Sequence, residues 1–127
     1  MSYADQLKRF KEMHEKEATK QWRAAMLEVM TGTIMDTPVL DGYLRGGWAA
    51  YLGTAGIGGL APDKSGSIAM KQVSNAVSRA VLGTDVWFVN RYPYAYDIEY
   101  NGHSQKAPEG MLRRNLARWN LLIENTR

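Results

Sequence analysis

The sequence predicts an α+β fold in which a long N-terminal helix and two further helices pack on a small, mostly antiparallel β-sheet. Apolar residues recur every three or four positions near the N-terminus, over residues 65–82 and after Pro108, which is the spacing of amphipathic helices. Two short β-branched and aromatic stretches and a long glycine-rich loop lie between them. With 127 residues, 45% of them hydrophobic, we expect one domain, 1–127, with a packed core.

The composition excludes several classes of protein. A formal net charge of +3 is too mild an excess for a basic nucleic-acid-binding tail. The chain has no cysteine, which rules out disulfides, thiolate zinc sites and thiol nucleophiles and is in keeping with synthesis in the cytoplasm. The longest uncharged run, Gly46 to Pro62, is too rich in glycine to span a bilayer, so we expect no membrane association.

The first helix is expected to begin at a capping box formed by Ser2 and Asp5 and to end at Gly32. A helix of about 28 residues would be about 42 Å long, more than the core of one small domain needs, so part of its apolar stripe should face another chain. His14 has no second ligand four residues away, which favours a buried or half-buried helix histidine over a metal ligand. The stripe consists of Leu7, Phe10, His14, Ala18, Trp22, Ala25 and Val29.

A turn and a strand should follow the first helix. The residue before Pro38 is pushed out of the helical region, and an Asp-Gly pair ends at Gly42, so we expect the chain to reverse over residues 33–42. Residues 44–52 then alternate as a strand would, with Gly46 and Gly47 indicating a bulge or a close backbone approach.

Residues 53–66 have no apolar periodicity and are predicted to form a mobile arm that becomes ordered against a partner. The spacing of residues 56–61 matches the dinucleotide-binding fingerprint, but Pro62 and Asp63 follow where that motif needs a helix to begin. We therefore expect no nucleotide site. The glycines assigned to the mobile arm are Gly53, Gly56, Gly58 and Gly59.

The second half of the chain continues with a helix and a strand. The helix is predicted from Ser65 to Leu82, with Ser67 as N-cap and Gly83 as the C-terminal stop. The strand, residues 85–91, is predicted to be central and buried on both faces.

Residues 94–100 alternate like a strand, yet Pro93 and Gly102 frame a short helix, and we favour the helix. A last helix is predicted to open at Pro108. Its polar face carries three arginines, which indicate either a solvated face or a docking surface for an acidic partner. They are Arg113, Arg114 and Arg118.

The stretch from Asn90 to Arg114 concentrates tyrosines, prolines and glycines between the last strand and the last helix. Tyrosine offers a large rigid surface with a polar tip and is enriched at protein interfaces. The tyrosines therefore form either an interface or a half-buried structural corner, and composition alone leaves both open. The four rings are Tyr92, Tyr94, Tyr96 and Tyr100.

The same stretch holds the acid, base and cation cluster closest to a catalytic constellation: Asp97, Glu99, His103 and Lys106. A metal-dependent nuclease core needs a Glu-x-Lys pattern after its first carboxylate, but Tyr100 and Asn101 follow Glu99. Ser104, next to His103, cannot easily face it as a nucleophile. We therefore expect no enzymatic activity, no cofactor and no metal.

Three stretches of the chain form an ordered set of motifs: Thr37 to Trp48, Pro93 to Gly102 and Gln105 to Met111. They contain a Thr-Pro-Val turn ending in Leu-Arg, a Tyr-Ala segment ending in Glu and Gly, and an Ala-Pro-x-Gly-Met helix start. In this order they resemble the tail-completion or neck proteins of long-tailed bacteriophages. Together with the preceding long helix they cover most of the chain.

The resemblance implies a structural virion protein that forms a homo-oligomeric ring, commonly a hexamer, between the capsid connector and the tail. Its partners would be further copies of itself, a head-closure or connector protein and a tail terminator or tail tube protein, with DNA passing through the lumen. It would be located in the virion neck and assembled in the host cytoplasm. A basic DNA-binding or nuclease-like accessory protein is the alternative. The expected interface residues are Tyr92, Tyr94, Tyr96, Tyr100, His103, Gln105, Arg113, Arg114 and Arg118.

Overall fold

The computed structural model describes residues 2–100, 110–119 and 121–122 and has the predicted α+β architecture. Within these ranges there are five helices and a two-stranded antiparallel sheet, and the buried side chains form one large and one small hydrophobic cluster. In chain order the elements are α1 (Tyr3–Asp36), α2 (Tyr43–Gly46), β1 (Ala49–Leu52), α3 (Ser67–Ser78), β2 (Val86–Val89), α4 (Tyr94–Tyr100) and α5 (Leu112–Leu116).

Helix α1 begins as predicted, because Ser2 and Asp5 form both hydrogen bonds of a capping box. The predicted stop at Gly32 is wrong, since α1 continues through that residue to Asp36. It ends at Thr37, whose ψ of 124° is extended as the following proline demands. Gly32 lies against α5 instead, which offsets its low helix propensity.

The N-terminal half of α1 projects from the domain. Its 34 residues give a length of about 51 Å, and every residue from 2 to 18 is exposed. The expectation that His14 is buried or half-buried is wrong. The imidazole is exposed and packs against the Phe10 ring with 4.3 Å between centroids.

The segment 44–52 divides into a helical turn and a strand, so the predicted strand is correct only in its second half. Gly42, with φ of +91°, ends the turn and is the N-cap of α2. The Tyr43 N–H donates to Oδ1 of Asp41 at 3.1 Å, which stabilises this start. β1 begins only at Ala49, after Gly46 and Gly47 have brought the backbone close to the glycine-rich loop.

Strands β1 and β2 pair in the register Ala49 with Val89 and Leu52 with Val86. The prediction that β2 is central and buried on both faces is wrong. In the described residues β2 is one of two strands, and its Trp87 side chain is 44% exposed. A central strand and an edge strand of the same apolar composition differ only in what packs beside them, which the sequence of the strand does not contain.

Helix α3 is shorter than predicted, running over Ser67–Ser78 with Gly66 rather than Ser67 as N-cap. Oδ2 of the buried Asp63 accepts the Ala69 N–H at 2.9 Å and supplies the side-chain cap from outside the helix. The helix therefore begins where Asp63 can reach its first turn.

The main core lies between α1, α3 and the sheet. Trp48 and Phe88 stack there with 4.5 Å between ring centroids and 15° between planes. The helical choice for residues 94–100 is confirmed as α4, and the predicted start of the last helix at Pro108 lies outside the described residues. The largest fully buried side chains are Ile34, Met111, Val73, Thr33 and Thr37.

Candidate interaction surface

The Glu99 carboxylate connects α4 to the start of α5. Its two oxygens accept the backbone N–H groups of Met111, Leu112 and Arg113 at 2.6, 2.9 and 2.7 Å. The Arg113 side chain adds a bond from Nε to Oε1 at 3.3 Å and a second bond to the Glu99 carbonyl oxygen. Both carboxylate oxygens are thus used by the main chain and one guanidinium, so Glu99 is a structural cap.

Two opposing effects act on the pKa of Glu99. Burial on its own would raise the pKa, because only 9% of the side chain is exposed. The backbone hydrogen bonds from Arg113, Met111 and Leu112, with the side-chain bond from Arg113, stabilise the ionised form and leave the pKa below its ordinary value. The cap is therefore held in its charged form.

Gly110 allows the backbone before α5 to approach Glu99 closely. Its φ is +85°, and a Cβ at that position would lie 2.8 Å from both the carbonyl oxygen and Oε1 of Glu99. The glutamate of the second matched stretch and the glycine before Met111 in the third are thus parts of one backbone corner. From the sequence alone, Glu99 is a catalytic candidate and part of a matched stretch; Gly110, two residues after Pro108, was the available signal of a tight backbone turn.

Two exposed tyrosines and an arginine lie against one another on the outside of this corner. Tyr96 and Tyr100 are four residues apart on α4 and therefore share a face. Their ring centroids are 4.8 Å apart, and the Arg113 guanidinium carbon lies 4.7 Å from the Tyr100 centroid. Tyr96 is 64% and Tyr100 54% exposed. We call Tyr96, Tyr100 and Arg113 the aromatic cluster.

The other two arginines of the predicted interface differ in their surroundings. Arg114 Nε lies 3.7 Å from Oδ2 of Asp36, and the same oxygen accepts from Asn115 Nδ2 at 2.9 Å. Arg118 is exposed. The arginines therefore do not form one free cationic face, because two of them hold carboxylates of their own chain.

The first matched stretch forms a second backbone corner, at the end of α1. The Thr37 hydroxyl donates to the Thr33 carbonyl and accepts from Trp48 Nε1, at 2.7 and 2.8 Å. The Arg45 guanidinium donates to the carbonyl oxygens of Met35, Thr37 and Lys64 at 2.7–3.0 Å. A positive group at this position satisfies carbonyls that the helix end leaves unpaired.

The glycine-rich loop lies folded against this second corner. The Gly58 N–H donates to the Tyr51 hydroxyl at 2.9 Å, and the Gly59 N–H donates to the Gly47 carbonyl at 3.0 Å. A Cβ on Gly59 would lie 1.7 Å from the Gly46 carbonyl oxygen. Gly58 and Gly59 permit close backbone contact, which the sequence predicted only for Gly46 and Gly47, and the mobility of the loop stays a prediction.

The remaining predicted interface residues lie at different places. Tyr92 is half-buried against Gly47, with its ring centroid 6.3 Å from that of Tyr43. The Tyr94 side chain, His103 and Gln105 lie outside the described residues. The structure thus groups Tyr96, Tyr100 and Arg113, while Tyr92 belongs to the second corner, at the end of α1.

The list of expected interface residues omitted the free end of α1, although the length of the helix predicted that part of its apolar stripe faces another chain. Its first half carries exposed large apolar side chains at helical spacing. The excess length of the helix indicated that part of it is exposed. Which of its side chains are exposed could be seen only in the tertiary structure. We call the group the α1 stripe: Tyr3, Leu7, Phe10 and Met13, with exposures of 75%, 51%, 62% and 67%.

No family model, no curated protein and no solved structure matches the chain. Across the described ranges, no three histidine, aspartate or glutamate side chains are placed to hold a metal ion. In the same part of the chain, none of the helices combines the length and apolar character that crossing a membrane requires.

Proposed function

We propose that this chain is a structural subunit of a bacteriophage neck, forming a homo-oligomeric ring with the capsid connector on one side and the tail on the other. The observation that carries this proposal is the α1 stripe. Four large apolar side chains stand in water on a helix that leaves its own core, and such an apolar surface is characteristic of interaction sites. A ring of identical subunits would cover it repeatedly.

The two backbone corners support the proposal in a second way. The matched stretches contain Thr37, Arg45, Glu99 and Gly110, and each of these residues makes specific contacts that hold the fold together. A shared pattern at such positions supports a shared fold with the neck proteins. The assignment to the virion neck, the hexameric copy number and the connector and tail partners come from that resemblance and are part of the proposal.

The alternative, a DNA-binding or nuclease-like protein, has less support. Arg113 and Arg114 each pair with a carboxylate of the same chain, which lowers the local positive charge available to a phosphate backbone. Glu99, the carboxylate such a nuclease would use, is occupied by three backbone N–H groups. We therefore propose a non-enzymatic role, with DNA passing through the ring without sequence-specific contacts.

The test replaces two residues of the α1 stripe by charges, as Leu7→Glu and Phe10→Glu in one chain. Both side chains are exposed, so thermal unfolding should stay close to that of the unmodified protein. Sedimentation velocity should show loss of the assembled species, and electron microscopy of phage lysates should show heads and tails that remain separate.

The matched control is Lys8→Gln with Glu12→Gln, which changes two exposed polar residues on the opposite face of the same helix turns. It should leave assembly and joining unchanged. Normal joining of heads and tails by the Leu7→Glu, Phe10→Glu variant would contradict the proposed role of the α1 stripe.

A further inference from the structure

The two edges of the sheet differ in whether another element hydrogen-bonds to their main chain. The Gln72 side chain accepts the Ala50 N–H through Oε1 at 2.8 Å and donates from Nε2 to the Ala50 carbonyl at 2.6 Å. It thereby occupies the β1 edge as a neighbouring strand would. Both main-chain groups of Ala50 consequently point away from β2.

The pairing register then determines which way β2 directs its own main chain. Ala50 stands opposite Phe88, so Phe88 also directs its N–H and C=O away from the partner strand, and Val86, two residues earlier, does the same. The bond from the Gly53 N–H to the Asp85 carbonyl, at 2.8 Å, agrees with this alternation. No described residue hydrogen-bonds these four outward groups of Val86 and Phe88.

An apolar groove of about 230 Å³ lies beside these two residues. It is smaller than the roughly 300–1,000 Å³ typical of small-molecule sites, but it can take one or two apolar side chains. It opens between three elements of the fold. Its lining includes Met26 and Met30 of α1, Val86 and Phe88 of β2, Leu116 of α5, and Trp119, which follows α5.

We propose that the outer edge of β2 binds an extended segment of a partner protein with apolar side chains at alternate positions. The segment would pair with the outward N–H and C=O groups of Val86 and Phe88. Because successive side chains of a strand point to opposite faces, every second one would enter the groove. This site goes beyond the neck role and does not depend on it.

The described parts of a second copy offer no suitable strand. Both main-chain groups of Ala50 in β1 are held by Gln72, and its other edge pairs with β2. If two β2 strands met edge to edge, Val86 and Phe88 would stay packed against their own core and could not fill the opposite groove. A segment of a different protein fits the open edge better.

The test is a titration of the ¹⁵N-labelled full chain with an acetylated peptide of alternating valine and lysine, followed by amide shifts and hydrogen exchange. We expect the Val86 and Phe88 amides to shift and their exchange to slow about tenfold or more at saturation. The same peptide N-methylated at its strand-facing amides should not bind. Unchanged amides, or equal binding of the N-methylated peptide, would overturn the proposal.

Two variants make the experiment specific to the groove. Leu116→Glu, at a groove residue that is 47% exposed, should weaken peptide binding, whereas Val81→Glu, at a site 56% exposed and outside the groove lining, should not. Equal binding by both would count against the groove. Protection of the Val86 and Phe88 amides by concentration alone, without peptide, would assign the edge to a second copy and refute the partner segment.

Discussion

Gly32 of α1 lies directly beneath the side-chain amide of Asn115 in α5, where a Cβ would come within 2.2 Å of Oδ1. Asn115 cannot easily move away, because its Nδ2 donates to Asp36 at 2.9 Å and to the Met111 carbonyl at 2.8 Å. The close contact between α1 and α5 therefore requires a glycine at position 32, in the interior of α1.

We expect Gly32→Ala to destabilise the fold by about 1–3 kcal/mol through overpacking, although alanine is the better helix former by about 1 kcal/mol. Denaturant unfolding of the single variants and of Gly32→Ala with Asn115→Ala forms a double-mutant cycle. In the Asn115→Ala background the Gly32→Ala change should become neutral or stabilising. A Gly32→Ala cost that is the same in both backgrounds would show that the contact is not the cause.

Glu99→Gln should lower the free energy of unfolding by about 1–3 kcal/mol, because an amide offers one acceptor oxygen where the carboxylate offers two. Chemical denaturation measures the loss, with the exposed Glu28→Gln as control. An unfolding free energy equal to that of the control would argue against the cap.

The stabilisation by Glu99 should also depend on pH. Since the folded pKa lies below the unfolded value, the contribution is present above an unfolded pKa of about 4.3 and is lost as the pH falls through the folded pKa. The unmodified protein should therefore lose more stability on acidification than Glu99→Gln does. Parallel stability curves for the two proteins on the acid side would contradict the lowered pKa.

Gln72→Leu should destabilise the protein by about 1–3 kcal/mol, because the N–H and C=O of the buried Ala50 lose both partners. Thermal and denaturant unfolding measure this, and the exposed neighbour Lys71→Ala is the matched control. If Gln72→Leu unfolds like Lys71→Ala, the glutamine is not needed to close the strand edge.

Tyr96→Ala combined with Tyr100→Ala should preserve the fold and reduce assembly, at about 2 kcal/mol or more per buried interface tyrosine. Circular dichroism melting reports on the fold, and electron microscopy of lysates on head-to-tail joining. Tyr96→Phe with Tyr100→Phe keeps both aromatic rings and should assemble. Normal joining of heads and tails by the alanine variant would show that the aromatic cluster is not part of the interface. Loss of the fold would show that the cluster is a structural corner.

Hydrogen exchange can decide between a mobile and a held glycine-rich loop. The Gly58 and Gly59 N–H groups both have acceptors, so a held loop should protect them, while Gly59→Ala should abolish that protection by displacing the backbone from Gly46. Unprotected amides in the unmodified subunit would support the mobility predicted from composition. The exposed Ala55→Ser is the control.

Local chemistry allowed much of the architecture to be predicted from sequence. The capping box of α1, the turn at Pro38 and the choice of helix for residues 94–100 depend on neighbours a few residues apart, and the structure has all three. Two predicted boundaries failed, at Gly32 because of a residue from a distant part of the chain and at Ser67 because of a side chain a few positions before the helix. Asn115 packs on the glycine, and Asp63 caps α3 in place of the serine.

The candidate interaction surface was also predictable from the sequence only in part. Tyrosine spacing on one helix turn placed Tyr96 and Tyr100 on a common face without any tertiary information. The capping by Glu99, the exposure of the α1 stripe and the open edge of β2 were decided only by the tertiary structure. Each depends on which groups from distant parts of the chain meet or fail to meet, and local periodicity carries no record of those long-range contacts.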